Sequence, residues 1–127
     1  MRKAKRLVIV IDDDPSMLRA LRRLIAAAGF DVRAFDRPSA LLESDLPQAE
    51  ACLLVDINLP EMDGVALCKK LAASGCRLPV ILITGHMDDQ TRSLARGIHP
   101  VAVLIKPFAR DRLMTSINTA LYGESHP

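Results

Sequence analysis

Four aspartates, a threonine and a lysine are the residues of this sequence best placed for chemistry, because each follows a run of apolar residues. Asp12, Asp13 and Asp14 follow Leu7–Ile11, and Asp56 follows Ala51–Val55. Thr84 follows Val80–Ile83, and Lys106 follows Val101–Ile105. If the runs are strands of one parallel sheet, all of these residues sit at carboxyl ends and share one edge. Open α/β sheets bind ligands at that edge, beside the point where the strand order reverses. Clustered carboxylates are costly: two unit charges roughly 4 Å apart repel by about 4 kcal/mol at an effective dielectric of about 20. A cation between them removes the cost. Hard oxygen ligands suit Mg²⁺, which keeps several waters and takes one or two carboxylates. Lys106 would balance charge from the far side, and Thr84 can donate one hydrogen bond toward the middle. A carboxylate nucleophile, a divalent metal, a fixed ammonium and a hydroxyl together suit phosphoryl transfer, where positioning and charge neutralisation do most of the work.

Taken singly, each residue has a plainer account. Asp12–Asp14 could be a strand-end turn with Asp14 capping the next helix, and Asp56 could be another cap. Thr84–Gly85 is an ordinary turn signal, and Lys106–Pro107 could be a simple loop. The chemical reading rests on their joint occurrence at strand ends of one chain.

The elements that must position them alternate. The four runs are short, apolar and rich in β-branched residues, as expected for strands buried on both faces. Val32–Phe35, after Gly29, reads as a fifth, weaker edge strand. Leu18, Leu21, Leu24 and Ile25 form a helical stripe that starts at Asp14–Pro15 and stops at Gly29. Val65, Cys68, Leu71 and Ala72 mark a helix after Gly64, and Leu113, Ile117, Ala120 and Leu121 mark one ended by Gly123. Pro38–Ser44 can hold a short helix. Asp88–Arg96 is the least apolar helical stretch, so a loosely held helix is expected there. Five β-α units imply an α/β fold with a five-stranded parallel sheet, right-handed crossovers and helices on both faces. The expected order is the flavodoxin-like 2-1-3-4-5. Its switch point lies between the first and third strands, which puts Asp12, Asp13 and Asp56 together.

The 127 residues fit a single domain, with a core at about 7–121, a basic leader at 1–6 and a tail at 122–127. Half the chain is apolar, enough for one core, and the net charge of +2 points to neither a nucleic-acid binder nor a strongly acidic surface. Arg2, Lys3, Lys5 and Arg6 read as a solvated leader. No apolar run approaches the roughly 20 residues of a membrane span. Cys52, Cys68 and Cys76 have no metal-type spacing and fit buried thiols of a reducing cytoplasm.

With these pieces in place, the sequence resembles the receiver domains of two-component response regulators, the CheY-like superfamily. The resemblance runs from about Leu7 to about Leu121. It rests on Val10–Ile11–Asp12–Asp13–Asp14 and on Leu54–Val55–Asp56–Ile57–Asn58–Leu59–Pro60–Glu61–Met62–Asp63–Gly64. Ile83–Thr84–Gly85 and Lys106–Pro107–Phe108 complete it. With His86 added, the Ile-Thr-Gly-His stretch is also similar to the nitrogen-fixation regulators. The resemblance implies that Asp56 accepts a phosphoryl group from a sensor histidine kinase or a phosphotransfer protein. It implies Mg²⁺ held by Asp13, Asp56 and the Asn58 backbone carbonyl, with Asp12 acting through water. Lys106 would pair with phosphoryl oxygens, and Thr84 would swing toward them and move the loop after the fourth strand. Asn58 and His86 would tune how long the phosphoryl survives. Lys106–Pro107 would be cis, and Gly64 would permit the turn beside the acceptor.

Two departures stand out. The position that often carries Tyr or Phe in receivers is Val103, so coupling of a threonine to a rotating ring is in doubt. Gly97–Ile98–His99–Pro100 replaces a small-residue turn with Gly at the His99 position, so the loop entering the fifth strand should be unusual. Output is then expected from the fourth helix and its loops, toward an unidentified downstream protein, with a homodimer also open. Direct contact with nucleic acid or membrane is not expected. The chain could act alone, serve as a relay, or be a receiver from a longer protein. The alternative is a haloacid-dehalogenase-type phosphatase, whose Asp-x-Asp pattern Asp12–Asp14 satisfies. That class needs a late acidic pair, and Asp111 falls in a helix. A dinucleotide-binding module would need a glycine-rich turn where Asp12–Pro15 stands.

Overall fold

A computed structural model describes residues 6–123. The elements run β1 Leu7–Ile11, α1 Pro15–Ala27, β2 Asp31–Phe35, α2 Pro38–Leu42 and β3 Ala51–Asp56. They continue α3 Gly64–Ala73, β4 Val80–Thr84, α4 Asp89–Arg96, β5 Ala102–Ile105 and α5 Arg110–Tyr122. All strand pairs are parallel, in the order β2-β1-β3-β4-β5. The expected fold is therefore the observed one. Of the basic leader only Arg6 falls within the described residues, and of the expected tail only Tyr122 and Gly123 do.

The unbroken apolar runs are explained by two cores. Alternate strand residues point to opposite faces. Ile9, Ile11, Leu53, Val55 and Leu82 pack with Leu41 of α2, with Val65, Leu67, Cys68 and Leu71 of α3, and with Ala95 of α4. Val8, Val10, Cys52, Leu54, Ile81, Ile83 and Leu104 pack with Leu21 and Ile25 of α1 and Leu113, Ile117 and Leu121 of α5. Strand β3 lies at the centre, and every one of its residues is buried, Asp56 included. Edge strand β2 buries none fully, and edge strand β5 buries only Leu104.

Several element ends differ from the pattern reading because polar groups finish them. Strands β3 and β4 extend one residue further, taking in Asp56 and Thr84 as their last residues. Asp88 lies outside α4 as its cap, accepting from the Thr91 amide at 2.8 Å. Helix α2 stops at Leu42, and the Ser44 hydroxyl donates to the Leu41 carbonyl at 2.8 Å. Strand β5 starts at Ala102, although the Val101 amide already donates to the Val80 carbonyl at 2.8 Å. Helix α4 buries only Ala95, in keeping with its polar sequence.

The loop entering β5 is unusual as expected. His99 has φ of 51°, in the left-handed region, and Pro100 follows it. A Cβ crowds the backbone there, and the proline ring disfavours helical conformations at the preceding residue. We expect His99→Gly to raise stability by about 0.5–1 kcal/mol, the relief of that strain less the chain entropy of glycine. The midpoint of urea unfolding measures it. An unchanged or lower midpoint would show that His99 makes compensating contacts.

Candidate functional site

The end of β1 divides its three aspartates among different tasks. Asp14 caps α1, accepting from the Ser16 amide at 2.9 Å. Asp12 turns inward, fully buried, and its Oδ1 accepts from the Asp14 amide at 2.9 Å. Asp13 is exposed. Asp56, at the end of the adjacent β3, is 3% exposed. Carboxylate oxygens of Asp12, Asp13 and Asp56 lie within 4.8 Å of one another. The helix-cap account is thus right for Asp14, and the clustering account is right for the other three.

Lys106 directly follows β5, held by a bond from its amide to the Thr84 carbonyl at 2.8 Å. The Lys106–Pro107 bond is cis. Its Nζ lies 3.3 Å from Asp56 Oδ2 and 3.4 Å from Asp12 Oδ2. The contact with Asp56 is also a hydrogen bond, but that with Asp12 is a charge contact alone. Asp12 Oδ2 is the one buried side-chain oxygen or nitrogen among the described residues without a hydrogen bond.

Burial pushes the Asp56 carboxyl up from 3.8 to about 6. The Asp12 charge adds to the rise, while the Asn58 amide and Lys106 restrain it. Burial pulls Lys106 down, but the Asp56 and Asp12 carboxylates outweigh it and hold the ammonium above its ordinary value.

Thr84 is buried at the end of β4, as the pattern required, but its hydroxyl does not point into the middle of the site. It donates to the His86 carbonyl at 2.9 Å and accepts from the His86 amide at 3.2 Å. The loop is a competing local partner, and it wins. His86 is largely exposed, with Nε2 3.8 Å from Asp88 Oδ2, so its nearest charged partner is that cap. The Asn58 amide donates to Asp56 Oδ1 at 2.9 Å. Gly64 serves close approach: a Cβ there would overlap the Asp56 carbonyl oxygen and stand 2.9 Å from Val55 Cγ1. Val103 is partly buried against the core on the α3 face. Cys52 and Cys68 are buried, and burial pushes both thiols up to about 12, which makes them poor nucleophiles. Cys76 is only half-buried, contrary to the expectation for all three.

Residues 8–118 match the response regulator receiver domain family. The chain belongs to that family. It is 33% identical over 121 residues to the response regulator protein TmoT of Ectopseudomonas mendocina, covering 95% of this chain and 55% of that protein. It is 35% identical over 114 residues to the transcriptional regulatory protein FixJ of Bradyrhizobium diazoefficiens, covering 90% and 56%. Among solved structures it is similar to the response regulator StyR, with TM-score 0.80 and 34% identity over 93% of this chain and 60% of that one. The chain thus spans about half the length of the curated relatives it matches. The haloacid-dehalogenase alternative finds no support in these matches. Among the described residues, no helix of this receiver is long and apolar enough to cross a membrane.

Glu61 is the residue whose role the sequence did not disclose. It lies within the matched stretch, but its backbone conformation and its contact with α2 are visible only in three dimensions.

The weakened acidity of Asp56 has a stability consequence. The folded protein holds that proton up to about pH 6, whereas the unfolded chain releases it near 3.8. Stability attributable to this group is therefore full at pH values below 3.8 and falls as pH rises toward 6. We expect Asp56→Asn to be more stable than the parent by about 1–3 kcal/mol at pH 7 without divalent metal, from roughly two pKa units at about 1.4 kcal/mol each. The gap should close toward pH 4. Urea unfolding of both proteins across that range tests it, and a gap independent of pH would refute the electrostatic cause.

Proposed function

We propose that this receiver is a phosphorylation switch of a two-component system whose acceptor is Asp56. The observation that carries the reading is the convergence of buried Asp12 and Asp56 with exposed Asp13, against a single ammonium, Lys106. The net negative charge and an Asp12 Oδ2 that has a charge contact but no hydrogen bond fit a hard divalent cation. Asp13, Asp56 and the Asn58 carbonyl would hold Mg²⁺, with Asp12 reaching it through water. Bound there, Mg²⁺ would supply neutralisation of the carboxylates and of the charge on the transferring phosphoryl.

The chain's own groups do the rest. A carboxylate oxygen of Asp56 bonds to phosphorus while the bond from phosphorus to the histidine nitrogen breaks, and the imidazole leaves with the electron pair. The Asn58 amide orients that carboxylate through Oδ1. Lys106, now 3.3 Å from Oδ2, is placed to pair with phosphoryl oxygens. On the family resemblance, Asn58 and His86 would tune how long the acyl phosphate survives. The process is a stoichiometric modification that the domain itself also reverses by hydrolysis, and no substrate is turned over.

Thr84 is the switch. A phosphoryl at Asp56 offers its hydroxyl a charged acceptor in place of the His86 carbonyl. Turning to it releases the loop that leads into α4, the helix with a single buried residue. The donor is a sensor histidine kinase or a phosphotransfer protein, and the output is a downstream protein partner or a second copy. The relatives named as transcriptional regulators carry further sequence beyond the matched half. The receiver itself has no direct contact with nucleic acid or membrane on this reading, and acts in the cytoplasm.

Incubation with Mg²⁺ and acetyl phosphate, followed by intact mass and peptide mapping, tests the assignment. The expected result is one added phosphoryl group on the peptide containing Asp56, lost on removal of Mg²⁺ and absent from Asp56→Asn. Labelling at another residue, or undiminished labelling of the variant, would overturn it.

A further inference from the structure

Between Asp56 and α3 the chain passes through residues 57–63 without regular structure. Its ends are fixed. The Asn58 amide donates to Asp56 Oδ1, the Gly64 amide donates to the Ile57 carbonyl at 2.8 Å, and Asp63 caps α3 through the Ala66 amide. The bonds in its middle, from the Leu59 amide to the Ile57 carbonyl and from the Met62 amide to the Pro60 carbonyl, stay inside the loop. They shape it without tying it to the rest of the protein.

Leu59 and Met62 pack against the core, and Glu61 adds a hydrogen-bonded tie to another element. Its Oε1 accepts from the Ser39 amide at 2.8 Å, and its Oε2 accepts from the Ser39 hydroxyl at 3.0 Å. Helix α2 has use for this carboxylate, because its own cap residue, Arg37, makes no side-chain capping bond. Glu61 reaches it with φ of 70°, a left-handed backbone that disfavours any residue with a Cβ. Strain held in place by a two-point contact beside a reactive carboxylate is the kind of outlier that marks a functional constraint.

We infer that Glu61 is a positioning residue that latches the acceptor loop onto α2 and thereby holds the Asn58 carbonyl in place for the metal. The inference rests on the Mg²⁺ site proposed above. The latch is exposed, so it governs where the loop sits more than how stable the domain is. A merely structural residue would do the reverse.

Three variants of the whole chain separate the possibilities, read by calorimetric titration with Mg²⁺, amide exchange at Asn58, and urea unfolding. Glu61→Gly removes the latch and relieves the strain. It should weaken Mg²⁺ binding about tenfold, the low end of what loss of an outer partner costs a metal site. Exchange at Asn58 should quicken in metal-free protein while the urea midpoint stays near that of the parent. Ser39→Ala leaves the loop backbone untouched and should act in the same direction, more weakly. Glu61→Gln keeps acceptors for Ser39 but loses the charge, and should stay close to the parent.

Parental Mg²⁺ affinity and exchange in both Glu61→Gly and Ser39→Ala would overturn the latch alone. Glu61→Gln as weak as Glu61→Gly would overturn it too, because long-range attraction of the cation would then be the cause. A parent protein that binds no Mg²⁺ would sink the metal site, and the latch with it.

Discussion

Two buried carboxylates sharing one ammonium is the constraint on which the rest of the structure depends. Asp12 and Asp56 are 0% and 3% exposed, and Lys106 lies within 3.4 Å of both. Burying a carboxylate without full compensation is expensive. One ammonium cannot balance two, and it leaves Asp12 Oδ2 without a hydrogen bond. The arrangement is electrostatically incomplete in a way that a divalent cation would correct, and Asp56 is a weaker acid than usual, chiefly through burial, with the Asp12 charge adding to the effect. A domain selected for stability alone would have no reason to keep it.

The fold makes this deficit sustainable. Strands β1 and β3 are neighbours and bury their side chains in two separate cores. The positions just beyond Ile11 and Val55 therefore come out side by side, anchored by apolar packing that does not depend on the charges. Gly64 lets α3 approach so closely that the Asp56 backbone lies against its first turn. The acidic edge is supported from beneath by the sheet and from one side by that helix.

The sheet was legible in the sequence because parallel strands buried on both faces leave an unbroken apolar signature. The site was legible for a related reason: a polar residue that interrupts such a run falls at a strand end, and strand ends of a parallel sheet share an edge. What the pattern could not supply was the direction of each side chain. Asp12, Asp13 and Asp14 are alike in the sequence, yet one is buried, one is exposed and one caps a helix. Thr84 could face the site or its own loop at little difference in sequence context, and local hydrogen bonding to His86 decided the matter. The latch from Glu61 to Ser39 joins residues 22 positions apart in the chain, a distance at which no local periodicity carries information.

The path from site to surface follows from what occupies β4 and β5. Val103, where a ring is often found in receivers, is packed against the α3-side core. A β-branched aliphatic side chain has no large rotation to offer, so β5 has no rotating group at that position. Thr84 differs. Its hydroxyl is committed to the His86 backbone, and that backbone leads within a few residues to the Asp88 cap of α4. Few contacts hold α4, because Ala95 is its only buried residue and Leu94 is 37% exposed. A fully buried β3 carrying Asp56, the proposed acceptor, and a thinly anchored helix joined to the neighbouring strand make a gradient of burial across the sheet. Displacement begun at the Thr84 hydroxyl therefore meets least resistance along the loop toward α4. On the proposed reading the response would be carried by backbone, through a hydrogen bond from Thr84 that the β4–α4 loop and the phosphorylated site would compete to receive.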